Sequence, residues 1–386
     1  MKVFLEKISV LALSSMLVSA FSVSSALPSM LDYFHSYPAE QVELLISTPS
    51  FFVLLVLVLN RQLNWLLNER QMIVTGLLMM SMAGMLPQVL QGYGFVFLSR
   101  IFLGMGIGLI NAKAISMISE RYEGTERIQM LGFRGSSEVV GSAFLTMLVG
   151  QLIKFKWTYA FTIYSFALLV LLFYLFFVPN QIKSRQDQVQ LGERLPVRFR
   201  YESARLALFA GWNVCISSCI SLRVPLMVTQ GSLGTASAAS VILGLYQIVG
   251  IVSGLVFAPL LRRFGSRLLG LSYLALGLSS LGIAFSSDLS VLAIAVLGAG
   301  FVNSVLMTAI FHQLAEEMPA PLLNSATAVV LIGCNLGGAL SPYVLKGIGL
   351  IGESYSLIFS LFAISCLVFA IFAIRMKNRR KFDAVG

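Results

Sequence analysis

The sequence predicts an all-α membrane protein of twelve transmembrane helices arranged as two six-helix repeats. Three observations predict it: the composition, the spacing of apolar runs, and a near-constant offset between the two halves. Hydrophobic residues make up 57% of the 386-residue chain and charged residues only 11%, with a mean hydropathy of +0.86. That balance lies far from water-soluble domains. Apolar runs of about 20 residues, the length that crosses a bilayer, recur near 8–30, 41–60, 71–91, 94–118, 132–153, 157–178, 204–229, 235–261, 267–286, 289–313, 323–346 and 352–375. Short polar loops separate them.

The net charge of +10 would suit a nucleic-acid binder, but the placement of the basic residues assigns it to topology. With the N-terminus in the cytoplasm, 21 of the 27 Lys and Arg fall at cytoplasmic ends, as the positive-inside rule requires. An even number of spans returns the C-terminus to the same side. The start, MKVFLEK followed by ISVLALSSMLV and small residues at Ser19, Ala20, Ser25 and Ala26, resembles a secretory leader. Removing it would leave eleven spans and break the charge parity, so it is expected to be the first structural helix. Cys215, Cys219, Cys334 and Cys366 all fall in predicted spans without a nearby His or carboxylate, and are expected to act as small apolar residues.

The longest polar segment between spans is Asn180 to Glu202, which reads as a cytoplasmic linker over 180–203 between a bundle at 1–179 and a second at 204–386. The halves then match weakly. Pro28 corresponds to Pro225 at an offset of 197, and Gly106, Gly108 and Asn111 correspond to Gly298, Gly300 and Asn303 at 192. Gly141 and Gly333 keep the offset of 192, and Tyr159–Phe166 matches Tyr355–Phe362 at 196. Two parallel six-helix repeats are the layout of a secondary transporter with its site at mid-membrane between the halves. No nucleotide-binding loop of the G-x-x-x-x-G-K-[ST] type is present, so transport is expected to run on a solute or ion gradient.

Arg100-x-x-x-Gly104-x-Gly106 in the fourth span, Leu27-Pro28 in the first, and Lys156-Trp157 followed by Phe161 in the sixth carry a resemblance to the major facilitator superfamily. The last two are similar to its bacterial drug:proton antiporter members. The family's signature G-x-L-a-D-R-x-G-R-R is degraded between the second and third spans, where Asn60 and Asn64 take the Gly and Asp positions. Its second copy survives as Leu260-Leu261-Arg262-Arg263-Phe264-Gly265-Ser266-Arg267, with Arg262 replacing the Asp. The resemblance implies a gating role for Asn60, Asn64, Arg262, Arg263, Gly265 and Arg267. The fifth span lacks the Pro of the antiporter motif and keeps Gly141 and Gly150.

Charged and polar residues inside spans are the candidates for substrate binding and coupling, because each ionised group at mid-bilayer costs about 2.5 to 3.5 kcal/mol on insertion scales. These are Arg100, Asn111, Lys113, Glu138, Arg223, Tyr246, Gln247, Asn303 and Asn335, with Asn213 as a further polar group. At about 100° per residue, Gly104, Gly108 and Asn111 share a face with Arg100, on which Asn111 and Arg100 are expected to meet the cavity, Arg100 alternatively capping neighbouring carbonyls to fix the fold, and Lys113 lies on the other side. Lys113 and Glu138 sit at comparable depth on antiparallel neighbours and are expected to pair or share a proton. The glycines are expected to permit close helix packing.

The resulting expectation is a secondary transporter working by alternating access, with proton-coupled efflux of a small amphipathic compound as the first reading. Uptake or exchange of an organic anion or sugar-like metabolite is the alternative, because the intramembrane charges are net cationic. A non-transporting receptor on a transporter fold is the alternative from another class. The expected partners are a small-molecule solute, protons and lipid, on a monomer in the cell membrane that is not an enzyme and uses no cofactor, metal or nucleic acid.

Overall fold

The computed structural model describes residues 2–122, 124–179, 196–352 and 354–383, and every regular element among them is helical. Residues 180–195 of the expected linker lie outside the described residues. The chain divides into two compact units, Met1–Leu191 with Ala236–Gly244, and Gly192–Thr235 with Leu245–Gly386.

In the first unit the helices are α1 (Lys2–Ser15), α2 (Leu27–Tyr33), α3 (Ala39–Val58), α4 (Asn60–Leu66), α5 (Glu69–Met85), α6 (Tyr93–Arg121), α7 (Gly124–Leu152) and α8 (Phe166–Phe177). Two segments, Ser19–Ala26 before α2 and Trp157–Ser165 before α8, are wound as 3-10 helix. The rest is α9 (Val197–Gln230), α10 (Ala236–Phe264), α11 (Leu268–Ala284), α12 (Leu289–Glu317), α13 (Ala320–Gly349) and α14 (Tyr355–Asp383). Each of the twelve apolar runs is thus occupied by helix. Eight described helical segments are long and apolar enough to span a membrane, and the first span is a pair bent by 51° between Phe4–Ser15 and Ser19–Tyr33.

Local chemistry accounts for the break. Ser9, Ser15 and Ser19 turn their hydroxyls back onto the carbonyls of Leu5, Ala12 and Met16 at 2.7 to 2.8 Å, a habit that loosens and bends helices. Leu27-Pro28 then restarts the α-helix, with Pro in its first turn. Two other starts are capped by side chains: Asn68 and Gln71 form a reciprocal box on α5, and Asp288 accepts from the amides of Ser290 and Val291 at 2.8 and 3.0 Å on α12.

The repeat is visible in the packing. In the first unit α1 lies against α7, α3 against α6, and α5 against the span that ends in α8; in the second, α9 lies against α13 and α11 against α14. Small residues set the closest approaches. A Cβ on Gly106 of α6 would lie 2.6 Å from the carbonyl oxygen of Gly76 on α5, and one on Gly108 2.7 Å from Val56 Cβ on α3. Gly333 and Gly337 of α13 press on the Ala207 and Gly211 backbone of α9 in the same way.

Aromatic rings fill what the glycines leave. Phe34 meets Tyr33, Tyr37, Tyr93 and Trp157 edge-on at one end of the first unit. In the second, Phe209, Trp212, Tyr273 and Phe369 interlock, with the Tyr273 hydroxyl donating to the Phe209 carbonyl at 2.6 Å. Each such pair adds about 0.5 to 1.5 kcal/mol beyond its buried area. All four cysteines lie in the second unit, none in a disulfide, and Cys215, Cys219 and Cys366 are buried as apolar residues.

Candidate functional site

Arg100 is the largest fully buried side chain of the first unit, at 0% exposure. Its Nη1 donates to the Tyr164 hydroxyl at 3.0 Å, and that hydroxyl donates to the Ser19 carbonyl at 3.2 Å. The guanidinium carbon lies 4.4 Å from the Phe161 ring centre and 5.3 Å from that of Tyr164. No carboxylate among the described residues pairs with it, and Nε and Nη2 have no hydrogen-bond partner. The 3-10 stretches of the first and sixth spans supply Ser19, Phe161 and Tyr164, so both breaks meet at this charge.

The face shared by Arg100, Gly104 and Gly108 is divided: the glycines pack on Pro49 and Val56 of α3, the close packing expected of them, and Arg100 reaches to the sixth span. Its long side chain and the aromatic bed there outweigh helical register. Room for Tyr164 depends on Gly84, whose Cβ would lie 2.5 Å from Tyr164 Cβ. Gly84→Ala is expected to cost about 1 to 3 kcal/mol in a thermal melt of the purified protein, and more than the same change at Gly94, which has open space around it.

The expected pairing of Glu138 with Lys113 is replaced. Glu138 Oε1 lies 2.6 Å from Nη2 of Arg134, one turn earlier on α7, with the side chains 22% and 15% exposed. Residues four apart on a helix are natural neighbours, so the carboxylate is neutralised without crossing to α6. Lys113 is buried at 5% exposure and engaged by a neighbour. Asn111 is half-buried.

In the second unit the polar candidates are distributed rather than gathered. The Tyr246 and Ser217 hydroxyls share a 2.7 Å hydrogen bond between α10 and α9, and the Tyr246 backbone packs under Gly300 of α12. Asn335 donates to the Leu331 carbonyl on its own helix at 2.9 Å. Asn303 has a buried, unpartnered Oδ1, and Asn213 is fully buried with neither amide atom partnered. Arg223 and Gln247 are half-buried and each is engaged by a neighbour.

Sequence reasoning missed two charge clusters. In the first unit Arg121, at the end of α6, reaches Glu6 on α1 at 3.5 Å, Glu69 on α5 at 3.2 Å and the Pro179 carbonyl at 3.3 Å. Nearby Tyr122 is held protonated, its hydroxyl pushed up to about 12 by burial and then by Glu6. In the second, Arg205 on α9 reaches Glu202 and Glu317 at 2.9 Å, and Gln313 donates to Glu317 at 2.6 Å. Arg121 and Glu317 stand 196 residues apart, as do Glu6 and Glu202. Following the repeat offset through charged positions would have exposed a cluster whose α6 and α12 members have opposite sign.

The gating signature forms no comparable cluster. Arg262, Arg263 and Arg267 are exposed and make no ion pair among the described residues, Arg263 lying 5.8 Å from the Phe264 ring centre. Asn60 and Asn64 each bury an unpartnered Oδ1. Gly265 is turned to φ +49°, with nothing near its missing Cβ. Gly265→Ala is therefore expected to destabilise by about 1 kcal/mol through the backbone alone, seen as a small drop in melting temperature.

Residues 9–342 match the family model of the Major Facilitator Superfamily, so the chain belongs to that superfamily, one of multi-pass membrane transporters rather than enzymes. No curated protein sequence matches it. Among solved structures it is similar to a D-xylose-proton symporter, with a TM-score of 0.75 and 15% identity over 97% of each chain. It is also similar to the nucleoside transporter NupG, with a TM-score of 0.76 and 16% identity over 96% of this chain and 99% of that one. A peptide transporter, POT, crystallised with sulfate, gives a TM-score of 0.76 at 12% identity over 96% and 94%. At such identities the likeness shows the fold.

Proposed function

We propose that the protein is a secondary active transporter that moves a small anionic or uncharged polar solute by alternating access, coupled to protons. It acts as a monomer in the cell membrane with both termini cytoplasmic. The observation that carries the substrate class is the charge of the interior. Arg100 is buried without a carboxylate partner among the described residues, whereas Glu138, the carboxylate set deepest into a predicted span, is already balanced by Arg134. A cationic solute about 10 Å from an unbalanced charge meets about 1.7 kcal/mol of repulsion at an effective dielectric of about 20, and an anion gains as much. Glu138 serves as the group that exchanges protons.

Reconstitution tests this reading. Proteoliposomes with an imposed pH gradient are expected to accumulate a labelled organic anion or neutral metabolite and to leave a cationic dye unmoved. Glu138→Gln is expected to abolish the response to the gradient. Dye transport that survives every anion tested would instead support efflux of an amphipathic compound, the reading favoured by Leu27-Pro28 and by Lys156-Trp157 with Phe161. The unpaired Arg262, Arg263 and Arg267 favour the receptor reading, which vesicles that exchange no solute would support.

A further inference from the structure

The three nitrogens of the Arg100 guanidinium are not in equivalent positions. Nη1 is taken by Tyr164 at 3.0 Å, while Nε and Nη2 have no partner in a side chain at 0% exposure. Nε and Nη2 form one edge of the planar group, the edge that grips both oxygens of a carboxylate at once. The Phe161 ring, 4.4 Å from the guanidinium carbon, and the Tyr164–Ser19 hydrogen bond hold that plane in place.

Hydroxyls without partners lie on the neighbouring elements. Ser22, Ser24 and Ser25 of the Ser19–Ala26 segment, and Ser47 of α3, which packs on that segment, are buried with unpartnered Oγ atoms. At three residues per turn, Ser19, Ser22 and Ser25 fall on one face of the 3-10 segment. Each hydroxyl can donate once. The matching spans of the second unit, α9 and α14, run as unbroken α-helix, and among the described residues neither contributes an unpartnered serine hydroxyl, so the break and the row of orphaned hydroxyls belong to the first unit.

We infer that Arg100, through its Nε–Nη2 edge and with serine hydroxyls of the 19–26 segment, binds a carboxylate group of the transported solute. A buried cation without a counter-ion and several orphaned donors are each unfavourable, and one carboxylate offsets both. A single guanidinium balances a single charge, which suits a carboxylate better than a phosphate dianion. The two 3-10-wound segments beside the charge, the first of them part of a span bent by 51°, are the parts whose α-helical ladder is already interrupted, and they are the route by which the site opens. This inference rests on the transporter reading and names the charged group of its solute.

Titration calorimetry on the full chain in detergent tests it, with sodium acetate and sodium benzoate as probes, and benzamide and inorganic phosphate as controls, at one ionic strength. The expected result is saturable binding of at least one carboxylate, none of benzamide, and weakening by at least about tenfold in Arg100→Lys, which keeps the charge and loses the fork. Should Arg100→Lys fail to give a monodisperse protein, Ser22→Ala with Ser25→Ala tests the same site and is expected to weaken binding. Equal binding of benzoate and benzamide, preferential binding of phosphate, binding unchanged in these variants, or no carboxylate binding would each overturn the inference. Carboxylate binding without flux of any solute would overturn the transporter reading alone, and flux without carboxylate binding the inference alone.

Discussion

Arg121→Ala is expected to cost about 3 to 5 kcal/mol, the range for deleting one partner of a buried charge cluster. The side chain is 4% exposed, and its loss leaves the Glu6 and Glu69 carboxylates, 23% and 22% exposed, facing each other without the cation that joins them. Detergent-solubilised protein should then melt earlier and aggregate on size exclusion. The combined change Arg121→Gln, Glu6→Gln and Glu69→Gln should be milder than the single one, because no uncompensated charge remains. A triple variant as damaged as Arg121→Ala would assign the loss to packing instead. Arg205→Ala is expected to behave alike, since Glu202 and Glu317 both depend on it.

Gly337→Leu is expected to be of similar size, about 3 kcal/mol or more. Its added Cβ would run into the Gly211 carbonyl, and neighbouring Gly333 is pressed on Ala207 in the same seam. The obstacle on both sides is backbone, so no side chain can swing aside and α9 and α13 must separate. The yield of monodisperse protein should fall sharply, whereas Gly347→Leu on the same helix, with open space at its Cβ, should leave it nearly unchanged. Equal effects at the two positions would mean that the close approach carries no energy.

The spans, their pairing into repeats and the packing role of the glycines were legible in the sequence, because each follows from local pattern: runs of bilayer length, a fixed offset, and small residues at helical spacing. What the pattern could not supply was direction. Arg100 finds Tyr164, 64 residues on, because a long flexible side chain chooses among neighbours that only tertiary structure brings close. Glu138 finds Arg134 for the opposite reason: the partner was one turn away, and looking across to Lys113 overlooked the nearest cation. Asn213 is a different case. Its amide is fully buried with neither polar atom partnered, and we have no physical account of what satisfies it.

The confinement of all four cysteines to the second unit, three of them buried, has a practical consequence. A dye that fluoresces only on reacting with a thiol will report the opening of that unit and stay silent when the first unit loosens. Tryptophan emission reports on both units, from Trp157 in the first and Trp212 in the second. Heating one sample while following both signals therefore shows whether a given substitution has weakened the second unit, whose opening the thiol reports, or has changed the tryptophan signal while the thiols stay covered.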